Sequence, residues 1–314
     1  MNAYLVRRLI QLPLVLLMIS LIIFGLMHVS EGDPIAIMLG SNTSPELEAA
    51  LKARYNLDKP IYQQYILWLG RVLRGDLGNS IRTGEPVRKM ILDRIPTTLT
   101  VTILAILVAL AIAIPVGLIS AYRHNTVVDY VSMILAMLGL STPNFVLAIV
   151  LILFLSVVLN MLPTSGWRAP WEQPATSWRF LIMPVIALGT ARAALLARLL
   201  RSSVLDVLQK DYIKVARAKG LSEPQVMLRH VVKNSMLPMI TATAISFAYL
   251  LGGQIIIEQI FALPGVGNLL LTAVTQRDFP LIQGITLFIA GVFIISNLAA
   301  DVLYTFFDPR IAYD

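Results

Sequence analysis

An apolar run of about twenty residues is the length that crosses a bilayer as an α-helix. In hydrocarbon, only helices and closed barrels bond all of their own backbone N–H and C=O groups. This sequence has six such runs, at 9–29, 99–121, 131–159, 180–200, 236–260 and 281–307. They exclude an ordinary soluble domain. The chain of 314 residues is 57% hydrophobic and 14% charged, with a mean hydropathy of +0.76, whereas soluble domains carry about 25% charged residues. The expected fold class is an all-α integral membrane protein with six transmembrane helices and a small helical extracytoplasmic segment between the first and second.

The first run imitates a signal peptide, because Arg7 and Arg8 precede it. It is longer than the roughly 7–15 residues of a secretory apolar region, and no small-x-small cleavage site follows, so it is expected to be a retained first helix. Six crossings put both ends of the chain on one side of the membrane. The loops on that side carry Arg123, Arg198, Arg201, Lys210, Lys214, Arg217, Lys219, Arg229 and Lys233, whereas the two short loops opposite carry only Arg168, Arg179 and Arg277. Basic residues in short loops mark the cytoplasmic side, so both termini are expected there. The net charge of +7 is then a topology signal and not a sign of nucleic-acid binding. With no cysteine in the chain, disulfides, thiolate nucleophiles and cysteine-bearing metal sites are excluded.

Three regions follow: a first helix at 1–29, an extracytoplasmic helical segment at 30–98, and a five-helix core at 99–314 that includes a cytoplasmic loop at 201–236. The outer segment has a helix start at Ser44 and Pro45, with Leu47, Ala50 and Leu51 on one face. A second helix over about 60–74 presents Ile61, Tyr65, Trp68 and Val72, and GDLGNS at 75–80 is turn chemistry. A segment of this size without disulfides is expected to pack on the outer ends of the helices.

Polar residues inside the apolar runs are costly and therefore informative. The third run is interrupted by Ser141, Thr142, Pro143 and Asn144. Pro143 removes a backbone donor, and either the neighbouring hydroxyls re-satisfy the backbone locally or the break lines an aqueous path through Asn144. The fifth run holds Gly252, Gly253 and Gln254, with Glu258 near its outer end, and the sixth holds Ser296, Asn297 and Asp301. The glycines read as close helix packing. Glu258 and Asp301 are possible relay carboxylates, yet both lie near span ends where water reaches them, which disfavours a proton-coupled carrier.

The loop 211–238, DYIKVARAKGLSEPQVMLRHVVKNSMLP, is basic and reads as two helices. Asp211 is expected to cap a short helix over 212–219, Gly220 to end it in a left-handed conformation, and Ser222 with Gln225 to form a capping box for a second helix running into the membrane. Small Ala216 and Ala218 beside Tyr212 and Arg217 suit insertion into another protein's cleft; the alternative is a solvated basic face. Enzymatic patterns are missing: no lysine follows a glycine, which excludes a P-loop, and His28, His124 and His230 lack metal-ligand spacing. The turn PGVG at 264–267 does not follow a strand, as a dinucleotide fingerprint requires. A membrane-tethered helix-turn-helix regulator is disfavoured because the second helix enters the membrane and cannot lie in a major groove.

Nine motifs in order carry a resemblance over nearly the whole chain: GDP at 32–34, YNLDKP at 55–60 with QYILWL at 64–69, GDLGNS, STPNF at 141–145, ARAKGLS at 216–222, RHVVKNSMLP at 229–238, PGVGNLL at 264–270, RDFPLIQG at 277–284 and DPRI at 308–311. In this set the chain resembles permease subunits of ATP-binding-cassette importers, in the peptide/nickel/glutathione branch. It departs from the wider permease pattern at Lys214, where many members have glutamate, and in the late position of Pro238. The resemblance implies a type I importer permease fold in a bacterial inner membrane. It implies a second homologous permease subunit, two ATP-binding subunits that hold ATP and magnesium, and an extracytoplasmic substrate-binding protein, with no cofactor in this chain. Asp211, Tyr212, Arg217, Ala218, Lys219 and Gly220 would couple to an ATP-binding subunit. Ser141, Thr142, Asn144, Gln254 and Asn297 are the candidate path residues.

Overall fold

Backbone bonding in hydrocarbon dictates the architecture. The computed structural model describes residues 2–29 and 58–307, and among these the chain forms α-helices with two π-helical turns and no strand. The expected helix start at Ser44 and the motifs at 32–34 and 308–311 lie outside the described residues, as does the side chain of Asp301.

α1 (Asn2–Val29) is a 28-residue helix. α2 (Ile61–Val72) lies against it. Tyr65 and Trp68 stack near Phe24, with ring centroids 5.4 and 5.6 Å away, and the Tyr65 hydroxyl lies 2.8 Å from Ser20 Oγ. Of the residues expected on that face, Ile61 is exposed instead.

The centre of the bundle is the pair α3 (Val87–Tyr122) and α6 (Pro174–Leu208), of 36 and 35 residues. Both are long and apolar enough to span a membrane. They run in contact because glycines let their backbones meet: a Cβ on Gly189 would sit 2.8 Å from the Ala105 carbonyl oxygen, and one on Gly117 would sit 2.9 Å from that of Ala197. α3 passes unbroken through residue 98, where the sequence placed a boundary, so the residues before it are joined to the core by one continuous helix.

α4 (Val127–Ser141) and α5 (Asn144–Leu151), the latter continued by a π-helical stretch Ile152–Val158, replace the third apolar run. They are bent by 97° at the STPN break. Pro143 has no N–H to donate and disfavours helical backbone in the residue before it; Thr142 is extended, with ψ 117°, and its hydroxyl donates to the Leu138 carbonyl at 2.8 Å.

After α6 come α7 (Asp211–Ala218) and α8 (Glu223–Val226). A π-helical turn Met227–Val232 merges α8 into α9 (Lys233–Gly253), which gives a third long span. Gln254 interrupts it before α10 (Ile255–Ile260). Then α11 (Val266–Thr275) leads into α12 (Phe279–Phe307). Gly252 packs against Ile289 of α12, in keeping with the close-packing reading.

Three buried clusters stack along the bundle. One holds Val87, Ile91, Val266, Leu281 and Ile285 at the end opposite α7. The next holds Val101, Leu188, Leu250, Ile257 and Phe261, and the third holds Leu196, Leu200, Val204, Ile213, Val226 and Met239 at the α7 end. Two motifs of the sequence meet at the first. Asp278 of RDFPLIQG accepts from Ser80 Oγ of GDLGNS and from the Ile81 amide, and its Oδ1 also receives the Leu281 amide in the first turn of α12. This bond fixes the loop before α3 to the last long helix.

Candidate functional site

The short helix α7 is built by local signals and then seated by two side chains. Lys210 is its N-cap and Asp211 its first residue, so Asp211 does not cap the helix as expected. Its carboxylate instead accepts from Lys214 Nζ at 2.9 Å, and that bond holds the exposed acid below its ordinary range. The other end forms as the sequence indicates. Gly220 has φ +81°, its amide donates to Arg217 O at 2.9 Å, and the Leu221 amide donates to Ala216 O at 3.4 Å, the paired bonds of a Schellman turn. Ser222 and Gln225 form the capping box that starts α8.

Ile213 and Ala216 are buried in the cluster shared by α3, α6, α8 and α9, so Ala216 belongs to the inner face and not to the outward one. Tyr212 and Val215 remain 45% and 51% exposed, alongside exposed Ala218, Lys219 and Gly220. Arg217 pairs with Glu223, Nε to Oε1 at 2.7 Å and NH2 to Oε2 at 3.3 Å, which braces α7 on α8 across the glycine turn. The result is a slim outward face on a helix fixed to the membrane helices behind it.

At the same end, Asp129 accepts from Arg201 Nε and NH2, each at 2.6 Å, from the Asn125 amide at 3.1 Å and from Ser120 Oγ. Asp129 is 1% exposed, so Arg201 is less a free loop cation than a clamp that holds the α3–α4 turn on α6. Neither Asp129 nor this pairing was picked out from the sequence.

Within the membrane, the helix break borders a cavity of about 380 Å³ lined by Thr142, Asn144, Arg192 and Tyr249 with apolar neighbours. Thr142 and Asn144 are thus brought together, while Ser141 is exposed beside them. Gln254 lies elsewhere: it is 2% exposed and donates to Thr102 on α3. Asn297 lines a separate cavity between α12 and α1. The candidate path residues therefore do not form one site.

Glu258 is not the water-accessible carboxylate expected from its position. It is 1% exposed and accepts from Thr98 Oγ1 and the Asn268 amide, both at 2.8 Å, which ties α10 to α3 and α11. Arg192 is the functional candidate that reading the sequence missed. Its signal was a cation in the middle of the fourth apolar run, hidden by the count of basic loop residues on either side.

The chain matches the family of binding-protein-dependent transport system inner membrane components over residues 113–313, and the N-terminal membrane component of the same transport systems over residues 1–102. It belongs to that family of permeases. Among similar proteins, the oligopeptide transport system permease protein AppB of Bacillus subtilis is 39% identical over 316 residues, covering 100% of both chains. A putative peptide transport system permease protein of Brucella abortus is 37% identical over 314 residues, covering 100% of both. The glutathione transport system permease protein GsiC of Salmonella choleraesuis is 38% identical over 310 residues, covering 99% of both. Among solved structures, the MetNI methionine ABC transporter in inward-facing conformations matches with a TM-score of 0.54 at 16% identity, over 70% of this chain and 96% of that one. That likeness concerns the fold.

Proposed function

We propose that this chain is the membrane-spanning subunit of an ATP-driven importer of peptides, crossing the inner membrane six times with both termini in the cytoplasm. Its partners are a second permease of the same family, two ATP-binding subunits and an extracytoplasmic binding protein. ATP and magnesium belong to the ATP-binding subunits. The peptide class rests on the oligopeptide and peptide relatives, and the sixth crossing on α1, whose described side-chain region is apolar over Leu12–Gly25.

The observation that carries the reading is the two-sidedness of α7. Tyr212, Val215 and Ala218 face outward, and Ile213 and Ala216 lock the same helix into the cluster formed by α3, α6, α8 and α9. A helix so mounted moves with the spans. When ATP draws the two ATP-binding subunits together, the docked helix acts as a lever and the spans rock between inward-open and outward-open arrangements. ATP selects one arrangement only through differential affinity, so the dock must be stiff to transmit it.

Gly220→Pro tests the lever. Proline fixes φ near −65° and removes the amide, whereas the turn uses φ +81° and an N–H donated to Arg217 O. In proteoliposomes containing the full complex, the variant is expected to lose peptide uptake while the ATP-binding subunits still hydrolyse ATP. Uptake at the wild-type rate would contradict the proposal. Co-purification of all subunits with the variant establishes that assembly survived.

A further inference from the structure

We infer that Arg192, at the helix break, binds the carboxylate of the transported solute part-way across the membrane. The inference rests on the peptide-importer reading above and extends it to a residue. Arg192 stands in the middle of α6, a helix of membrane-spanning length. A guanidinium at that depth is costly unless it faces a protein interior or a wet cavity and finds a partner. Among the described residues no carboxylate pairs with it, and its Nε is buried without a hydrogen-bond acceptor. The guanidinium carbon lies 4.1 Å from the centre of the Tyr249 ring, so the cation sits over an aromatic face.

The cavity in front of it is of ligand size and has no acidic residue in its lining. Thr142 and Asn144 border it from the break. The start of α5 does too, since Pro143 and Asn144 are lining residues, and that end of a helix carries partial positive charge. Cation, helix end and neutral polar groups thus converge on a space that lacks an anion. A planar guanidinium offers paired N–H groups that match a carboxylate in a fork geometry, which a lysine ammonium does not reproduce. The α-carboxylate that every unmodified peptide carries fits this site. The main competitor is an acidic side chain of the second permease, which would make Arg192 an assembly contact.

The test compares uptake of one peptide with a free C-terminal carboxylate against the same peptide amidated, in proteoliposomes of the full complex with its native binding protein. Arg192→Gln is expected to cut uptake of the carboxylate form by about tenfold or more and to leave the amide near its wild-type level, so the preference collapses. Arg192→Lys is expected to retain an intermediate preference. Co-purification of both permeases and both ATP-binding subunits with each variant shows that the complex is folded and assembled. An unchanged carboxylate-to-amide ratio in Arg192→Gln overturns the inference. So does loss of the second permease on purification of Arg192→Gln, which assigns Arg192 to the subunit contact. If the wild-type complex takes up neither peptide, the peptide-importer reading itself fails, and a deficit confined to the variant cannot be confused with that result.

Discussion

Gly220, Asp129 and Arg192 show three ways in which a residue's role relates to the sequence. Gly220 was legible because a left-handed turn between two capped helices is a local demand, and the structure gives it φ +81°. The capping box of Ser222 and Gln225 was legible for the same reason. Asp211 looked like a cap, but the helix begins one residue earlier than expected, at Asp211 with Lys210 as its N-cap, and the acid turns to Lys214 instead. Asp129 was not legible, since its partners come from three segments that only the packing of α3, α4 and α6 brings together. Asp129→Asn keeps the shape but leaves the Arg201 guanidinium without a counter-charge. Breaking a buried pair in this way costs on the order of 3 kcal/mol. The expected outcome is a lowered unfolding midpoint for the purified complex and faster proteolysis at the α3–α4 turn. An unchanged midpoint would make the clamp dispensable.

Elements were read from the sequence more reliably than their bends. Apolar length located the spans, because hydrocarbon requires internal backbone bonding whatever the side chains do. The interruption at 141–145 was visible through Pro143, but not the 97° between α4 and α5, which depends on what each half packs against. Nor did the pattern divide the faces of α7 correctly. Ala216 is as small as Ala218 yet points into the bundle, and Ile213 supplies the apolar anchor. If α7 is a lever, its stiffness comes from that anchor. Ile213→Ala should leave a cavity costing about 2–5 kcal/mol locally, seen as faster amide hydrogen exchange over 211–219. Transport per ATP hydrolysed is expected to fall more than ATP hydrolysis itself. A parallel fall in both would assign Ile213 to general stability and not to transmission.

For the whole molecule, family membership was legible because nine motifs lie in one order along the chain, and the structure shows what some of them do. GDLGNS and RDFPLIQG meet through Ser80 and Asp278, ARAKGLS forms the turn after α7, and STPNF makes the membrane break. What the motifs do not encode is which polar residues share a cavity: Thr142 and Asn144 meet Arg192 and Tyr249, while Gln254 and Asn297 go elsewhere. Such groupings join residues from α4, α5, α6 and α9, and no spacing rule links them.

In the proposed mechanism, the outward face of α7 docks on an ATP-binding subunit. The chain has no cysteine, so Ala218→Cys introduces a single reactive site on that face. Crosslinking from it in native membranes, with mass-spectrometric identification of the captured protein, is expected to yield an ATP-binding subunit with an efficiency that changes when ATP is added. If all subunits are present and the cysteine captures none of them, reacting only with solvent-borne reagents, α7 is a solvated basic helix and the coupling account is contradicted.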